Sequence, residues 1–232
     1  MPSLMSPPSP PPRGAGRAAE GRSAGPPRRS RTAGSALVLL LALLLAGIGL
    51  GGCQHVVHPP EEVSDPVSVY VVDYGRHASL AIPAEDAGLL EWSWGDWNWF
   101  ALERTGVIDG LRAIFASPRS TLSRRELASA RDAGELAERL GATEVLSLEV
   151  ERERARALRE ELEARWQQGR DEAVRHPGGR VFVPDDARYS LFNNSVHAIV
   201  RWLEALGAEV TGRGVTANFK LGEPRPAAPP PG

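Results

Sequence analysis

The 232-residue chain is poor in sulfur: it has one cysteine, Cys53, and two methionines, both within the first five residues. A lone cysteine excludes an internal disulfide framework, a multi-cysteine zinc site and a CxxC redox pair. The five histidines form no HxxxH or HxH pair, so no metal is expected. A glycine-rich phosphate loop and an internal repeat are also missing, and no cofactor is expected. Lys220 is the only lysine, so arginine carries nearly all the positive charge. The formal net charge of −2 hides an uneven distribution. Residues 1–52 hold six arginines and a single acid, Glu20, which leaves 21 cationic residues against 28 acids in residues 53–232, a charge of −7. An acidic domain argues against a general nucleic-acid binder, which presents a basic surface.

The amino terminus reads as an address. Residues 1–31 are rich in Pro, Ser, Gly and Arg without apolar periodicity, a composition that cannot bury enough surface to fold. Arg28, Arg29 and Arg31 precede an uncharged apolar run, Ala36–Leu50, which is short for a spanning helix of about 20 residues. A basic segment, a short apolar segment and then small residues is the layout of a secretory signal. Leu50-Gly51-Gly52-Cys53 resembles the lipobox of bacterial lipoproteins, in which the cysteine is lipidated and becomes the first mature residue. An uncleaved single membrane anchor is the alternative reading of the same segment. Gln54 follows the cysteine; by resemblance to diderm lipoproteins, a residue other than Asp there implies the periplasmic face of the outer membrane.

The mature part reads as one α+β domain, a small antiparallel sheet packed with helices, over residues 67–221. Residues 53–66 read as a tether and 222–232 as a disordered tail. Strands are expected at Val67–Asp73, His77–Ile82 and Asp86–Trp94, the last with Leu90, Trp92 and Trp94 on one face and Glu91 and Ser93 on the other. Val107–Phe115 reads as a short helix. Ser123-Arg-Arg-Glu126 fits a capping box that opens a helix reaching about Leu140. Thr143–Val150 reads as a strand and Glu151–Gln168 as an amphipathic helix on Leu158, Leu162 and Trp166. His176–Pro184 reads as a loop or short strand around Gly178-Gly179. Ser195–Leu206 reads as a helix capped by Asn193 or Asn194 and stopped at Gly207.

Few residues offer chemistry. Trp92 and Trp94 read as core. Trp97 and Trp99, past Gly95 and next to Asp96, read either as further packing or as walls of a ligand cleft, since aromatic faces suit glycans. His55 and His58 fall in the expected tether. Ser195 opens a helix, where free backbone amides and the dipole favour an oxyanion, although a serine there is more often a cap.

Val69-Tyr-Val-Val-Asp-Tyr-Gly-Arg-His77, Glu91-Trp-Ser-Trp-Gly-Asp96, Leu111-Arg-Ala-Ile-Phe115 and Tyr189-Ser-Leu-Phe-Asn-Asn-Ser195 occur in the order found in domain-of-unknown-function family 2459, conserved bacterial proteins some of which lie near urease genes. The resemblance spans about 67–221 and implies no assigned activity. The order of a strand histidine and then a helix-start nucleophile resembles circularly permuted papain-like hydrolases of the NlpC and lecithin:retinol acyltransferase type. That resemblance implies His77 as base, Ser195 at the nucleophile position and Glu91 as the group orienting His77. Ser195 stands where the family often has cysteine, and a hydroxyl is far less acidic than a thiol. Three functions follow. The favoured one is a catalytically silent binder of an envelope peptide, glycan or lipid such as peptidoglycan, with Asp96, Trp97 and Trp99 at the ligand. The others are a Ser/His hydrolase or acyl transferase on envelope amides or esters, and a structural lipoprotein. The membrane is the expected partner, through Cys53.

Overall fold

The computed structural model describes residues 54–75, 77–104, 117, 119–190, 192–212, 214 and 216–227. The leader, Cys53 and the helix expected at Val107–Phe115 lie outside the described residues.

Among the described residues the architecture is α+β, built on a seven-stranded antiparallel sheet in the order β6-β2-β3-β4-β5-β8-β7. Its strands are β2 (Pro66–Asp73), β3 (Ala78–Pro83), β4 (Leu89–Asp96), β5 (Ser120–Leu127), β6 (Glu144–Glu151), β7 (Val174–Arg175) and β8 (Val181–Asp185). The sheet is larger than the small one expected because β5 and the β7–β8 hairpin join it. Pairing of β2 with β6 runs unbroken from Pro66↔Glu151 to Asp73↔Glu144.

The two faces of the sheet are covered differently. Val69, Val71, Leu80, Ile82, Leu90, Trp92, Trp94 and Leu122 point to one face and form the main core. Over them lie helices α2 (Arg152–Gln168) and α3 (Ser195–Ala205). α2 contributes Ala155, Leu158, Leu162 and Trp166, a stripe at helical spacing, and α3 contributes Val196, Ile199, Trp202 and Leu203. On the second face, Tyr70, Val72, Ala81 and Leu89 pack beneath Leu136 of helix α1 (Ala133–Leu140). Farther along that face the side chains are polar: Ser79, Glu91, Ser93 and Ser123.

Three sequence expectations are corrected, besides one strand boundary. Ser123–Glu126 is not a helix start. It belongs to β5, where Ser123 lies opposite Ser93 and their hydroxyls are 2.6 Å apart. The alternation of Leu122 with buried Thr121 and Ser123 suits a strand covered on both faces, and that tertiary burial overrides the local capping pattern. The true cap is Asp132, whose carboxylate accepts the Glu135 amide at 2.8 Å. The third strand begins at Leu89, after a turn closed by the Ala84 amide on the Gly88 carbonyl.

The tether is the second correction. His55–His58 forms β1, paired antiparallel with β9 (Glu209–Thr211) and parallel with β10 (Phe219–Leu221). His55 stacks on Phe219, and His58 Nδ1 lies 2.8 Å from the Glu223 carbonyl, so these histidines are buried parts of the fold. The third correction concerns the tail. The Gly222 amide donates to Val57, the Arg225 amide to Pro59 and the Glu61 amide to Arg225. Residues 222–225 therefore belong to the domain.

Candidate functional site

The polar half of the second sheet face centres on Glu91, which is fully buried in β4. A carboxylate inside a sheet must be paired. Tyr74 Oη donates to Oε1 at 2.7 Å and Ser79 Oγ at 2.6 Å. Arg180 Nη2 reaches Oε1 at 2.7 Å, and Arg125 Nε donates to Oε2 at 2.6 Å. Arg125, directly across from Glu91 in register, also donates to Tyr74 Oη at 2.9 Å. Burial alone would raise the Glu91 pKa, but Arg180 and Arg125, with the Ser79 and Tyr74 hydrogen bonds, hold it down at about 2. Burial, and then the negative charge of Glu91, push Tyr74 up to about 12, so its phenol stays protonated and donating.

Arg180 ties this network to a cleft of about 560 Å³. Its Nη1 donates to Ser93 Oγ and Ser123 Oγ, both at 3.1 Å. The cleft is lined by His77, Ser93, Arg180, His176, Glu103 and the rings of Trp99, Phe100 and Phe182. His77 stacks on Tyr74 with centroids 4.7 Å apart and meets the edge of Phe100 at 5.6 Å. Burial, reinforced by the Arg180 charge, lowers its pKa to about 4, so the ring is neutral at pH 7. No hydrogen bond among the described residues engages either ring nitrogen of His77, so a neutral imidazole offers one donor and one acceptor to the cleft. His176 Nε2 lies 2.9 Å from the Ala101 carbonyl, fixing one rim.

The aromatic wall is set by a single π-type turn, Trp97–Ala101, directly after β4. Asp96 Oδ1 accepts the Trp99 amide at 2.7 Å and caps this turn. Gly95 makes it possible: a Cβ there would sit 2.4 Å from the Phe100 ring.

The structure separates the three residues expected to be catalytic. His77 and Glu91 lie on the second face. Ser195 is the first residue of α3, which packs on the first face over Trp92 and Leu80. The sheet stands between Ser195 and His77, so they form no dyad. Glu91 does not orient His77 either, because the hydrogen bonds to its oxygens come from Tyr74, Ser79 and the two arginines. The helix cap is Asn194, whose Oδ1 accepts the Val196 and His197 amides at 3.0 and 3.3 Å.

Of the three expected ligand residues, only Trp99 lines the cleft. Trp97 is buried beneath the Arg119 guanidinium and packs with Phe182 and Ala101. Asp96 is buried as the turn's cap. Sequence reading missed Arg125, Arg180, Ser79 and Phe182. Arg125 had a signal, since an acid between Leu90 and Trp92 in a buried strand requires a cation. Arg180 had none, because its place depends on the β7–β8 hairpin joining the sheet. Compared with family models, curated proteins and solved structures, the chain matches none.

Proposed function

We propose that the mature chain is a lipid-anchored protein of the bacterial cell envelope, on the periplasmic face of the outer membrane. Its cleft at His77 binds, without cleaving, a carboxylate-bearing peptidoglycan fragment. One observation carries this reading: the rings of Trp99, Phe100 and Phe182 line one cleft with the neutral His77 and with Arg180, whose guanidinium is held in place by Glu91, Ser93 and Ser123. The Arg180 guanidinium offers a cation to a carboxylate, the neutral His77 supplies a donor and an acceptor, and the rings suit a sugar or peptide face. Peptidoglycan fragments combine acetylated sugars with free carboxylates.

The same geometry supports binding over catalysis. Ser93 Oγ lines the cleft, and among the described residues its hydrogen-bond partners are Ser123 Oγ and the permanently charged Arg180, not the imidazole of His77. Ser195 lies across the sheet from His77.

Calorimetric titration with soluble disaccharide-peptide fragments tests the reading. Saturable binding is expected, weakened about tenfold or more in Trp99→Ala, as for loss of a well-packed aromatic contact, with an unchanged melting temperature. Absence of binding, or Ser195-dependent labelling by a fluorophosphonate, would overturn it.

A further inference from the structure

The lipid anchor proposed above, on which this inference rests, determines which end of the domain meets a bilayer. Cys53 is bonded to a residue that already belongs to the fold. Gln54 Nε2 donates to Asn218 Oδ1 at 3.1 Å and the His55 amide to the Asn218 carbonyl at 2.8 Å. A chain spans at most about 3.6 Å per residue, so acyl groups on Cys53 begin within about 7 Å of His55. An anchor on Cys53 therefore leaves no spacer between the domain and the membrane.

The topology brings a second feature to that end. β9 runs antiparallel to β1, with Thr211 opposite Val56, and so descends toward Gln54. α3 leads into β9 through the turn at Gly207 and packs against it, which points the start of α3 the same way. Just ahead of that start is Phe192. It is 83% exposed, on a tight turn closed by reciprocal Ser190–Asn193 backbone hydrogen bonds of 3.0 and 3.1 Å.

Around Phe192, residues 187–203 contain none of the chain's 29 acids. They do contain Arg188 and Arg201, and Arg201 Nη1 donates to Asn193 Oδ1 at 3.1 Å, next to Phe192. Two arginines beside an exposed ring fit an anionic lipid surface.

We propose that Phe192 inserts into the bilayer interface beside the lipidated Cys53, giving the anchored domain a fixed orientation. An aromatic ring on a short turn, flanked by Arg188 and Arg201, suits the headgroup region. The α3 end then faces lipid.

The test uses the full chain, processed in a bacterial host and reconstituted in phosphatidylethanolamine–phosphatidylglycerol vesicles. Acylation blocks the Cys53 thiol, so Phe192→Cys introduces the single thiol open to an environment-sensitive fluorophore. Glu204→Cys, at the other end of α3, is the reference. The expected result is a blue-shifted emission and several-fold weaker iodide quenching at 192, with an aqueous signal at 204. With Cys53 shown to be acylated by mass spectrometry, an aqueous signal at 192 overturns the inference and leaves the anchor standing. Shielding at 192 that appears without vesicles and grows with protein concentration also overturns it, since a second copy then covers the site. An unmodified Cys53 overturns both.

Discussion

His77 and Glu91 are two titratable groups whose charges the fold sets in opposite ways. His77 is held neutral, its pKa lowered from 6.5 to about 4 by burial and the nearby arginines. The unfolded chain binds that proton below pH 6.5 and the folded chain does not until about 4. The associated stability is therefore complete above pH 6.5 and is lost as pH falls toward 4; the shift corresponds to about 3 kcal/mol. Glu91 is held charged, at about 2 instead of 4.5, so its contribution is lost lower, as pH falls from 4.5 toward 2. Urea melts at pH 7, 5.5 and 4.5 should show a clear decline between 6.5 and 4, and a shallower one in His77→Gln. Equal slopes would show that His77 is not the neutral buried group described. Glu91→Gln leaves two guanidinium groups unpaired beside the sheet and should cost about 3–5 kcal/mol at pH 7. Chemical denaturation would read that loss directly.

At the scale of elements, the least local part of the fold is the three-stranded β10-β1-β9 sheet. It joins residues 55–58 to residues 209–221, and Gly212 is its close contact. Gly212 has φ of +93°, and a Cβ there would lie 2.0 Å from the Gln54 carbonyl oxygen. Gly212→Ala should therefore cost more than about 1 kcal/mol and free β1 first. Hydrogen exchange at Val56 and Val57 should accelerate well before exchange in β2 or β3. This sheet also marks where sequence reading stops. β2, β6, α2 and α3 were legible because β-branched runs and the stripes through Leu158–Trp166 and Val196–Leu203 state their own periodicity. β1 was not: His55-Val-Val-His58 is a strand only because β9 and β10 return to pair with it. β5 was misread for a related reason, since Ser123 and Glu126 match a cap locally while Leu122 and Thr121 are buried by distant partners. At the site, Trp99 and His77 were found from sequence, but their grouping with Arg180 and Phe182 depends on the β7–β8 hairpin. The pairing of His77 with Ser195 failed because chain order does not say which face of a sheet a helix will cover.

For the whole molecule, the sheet divides labour. One face is sealed by α2 and α3 and supplies the main core. The other carries α1 at one end and the polar cleft at the other. Among the described residues no helix is long and apolar enough to cross a membrane, and attachment in this account falls to Cys53 and the end bearing Phe192. The central claim is that the cleft at His77, and not the start of α3, receives the ligand. Nitrogen-proton NMR of the labelled mature protein during titration with soluble peptidoglycan fragments tests it most directly. Shifts are expected at the Trp99 indole, the His77 ring and the Arg180 guanidinium, with Ser195 and Val196 unmoved. Shifts centred on Ser195 and the start of α3, or none at saturating fragment, would contradict it.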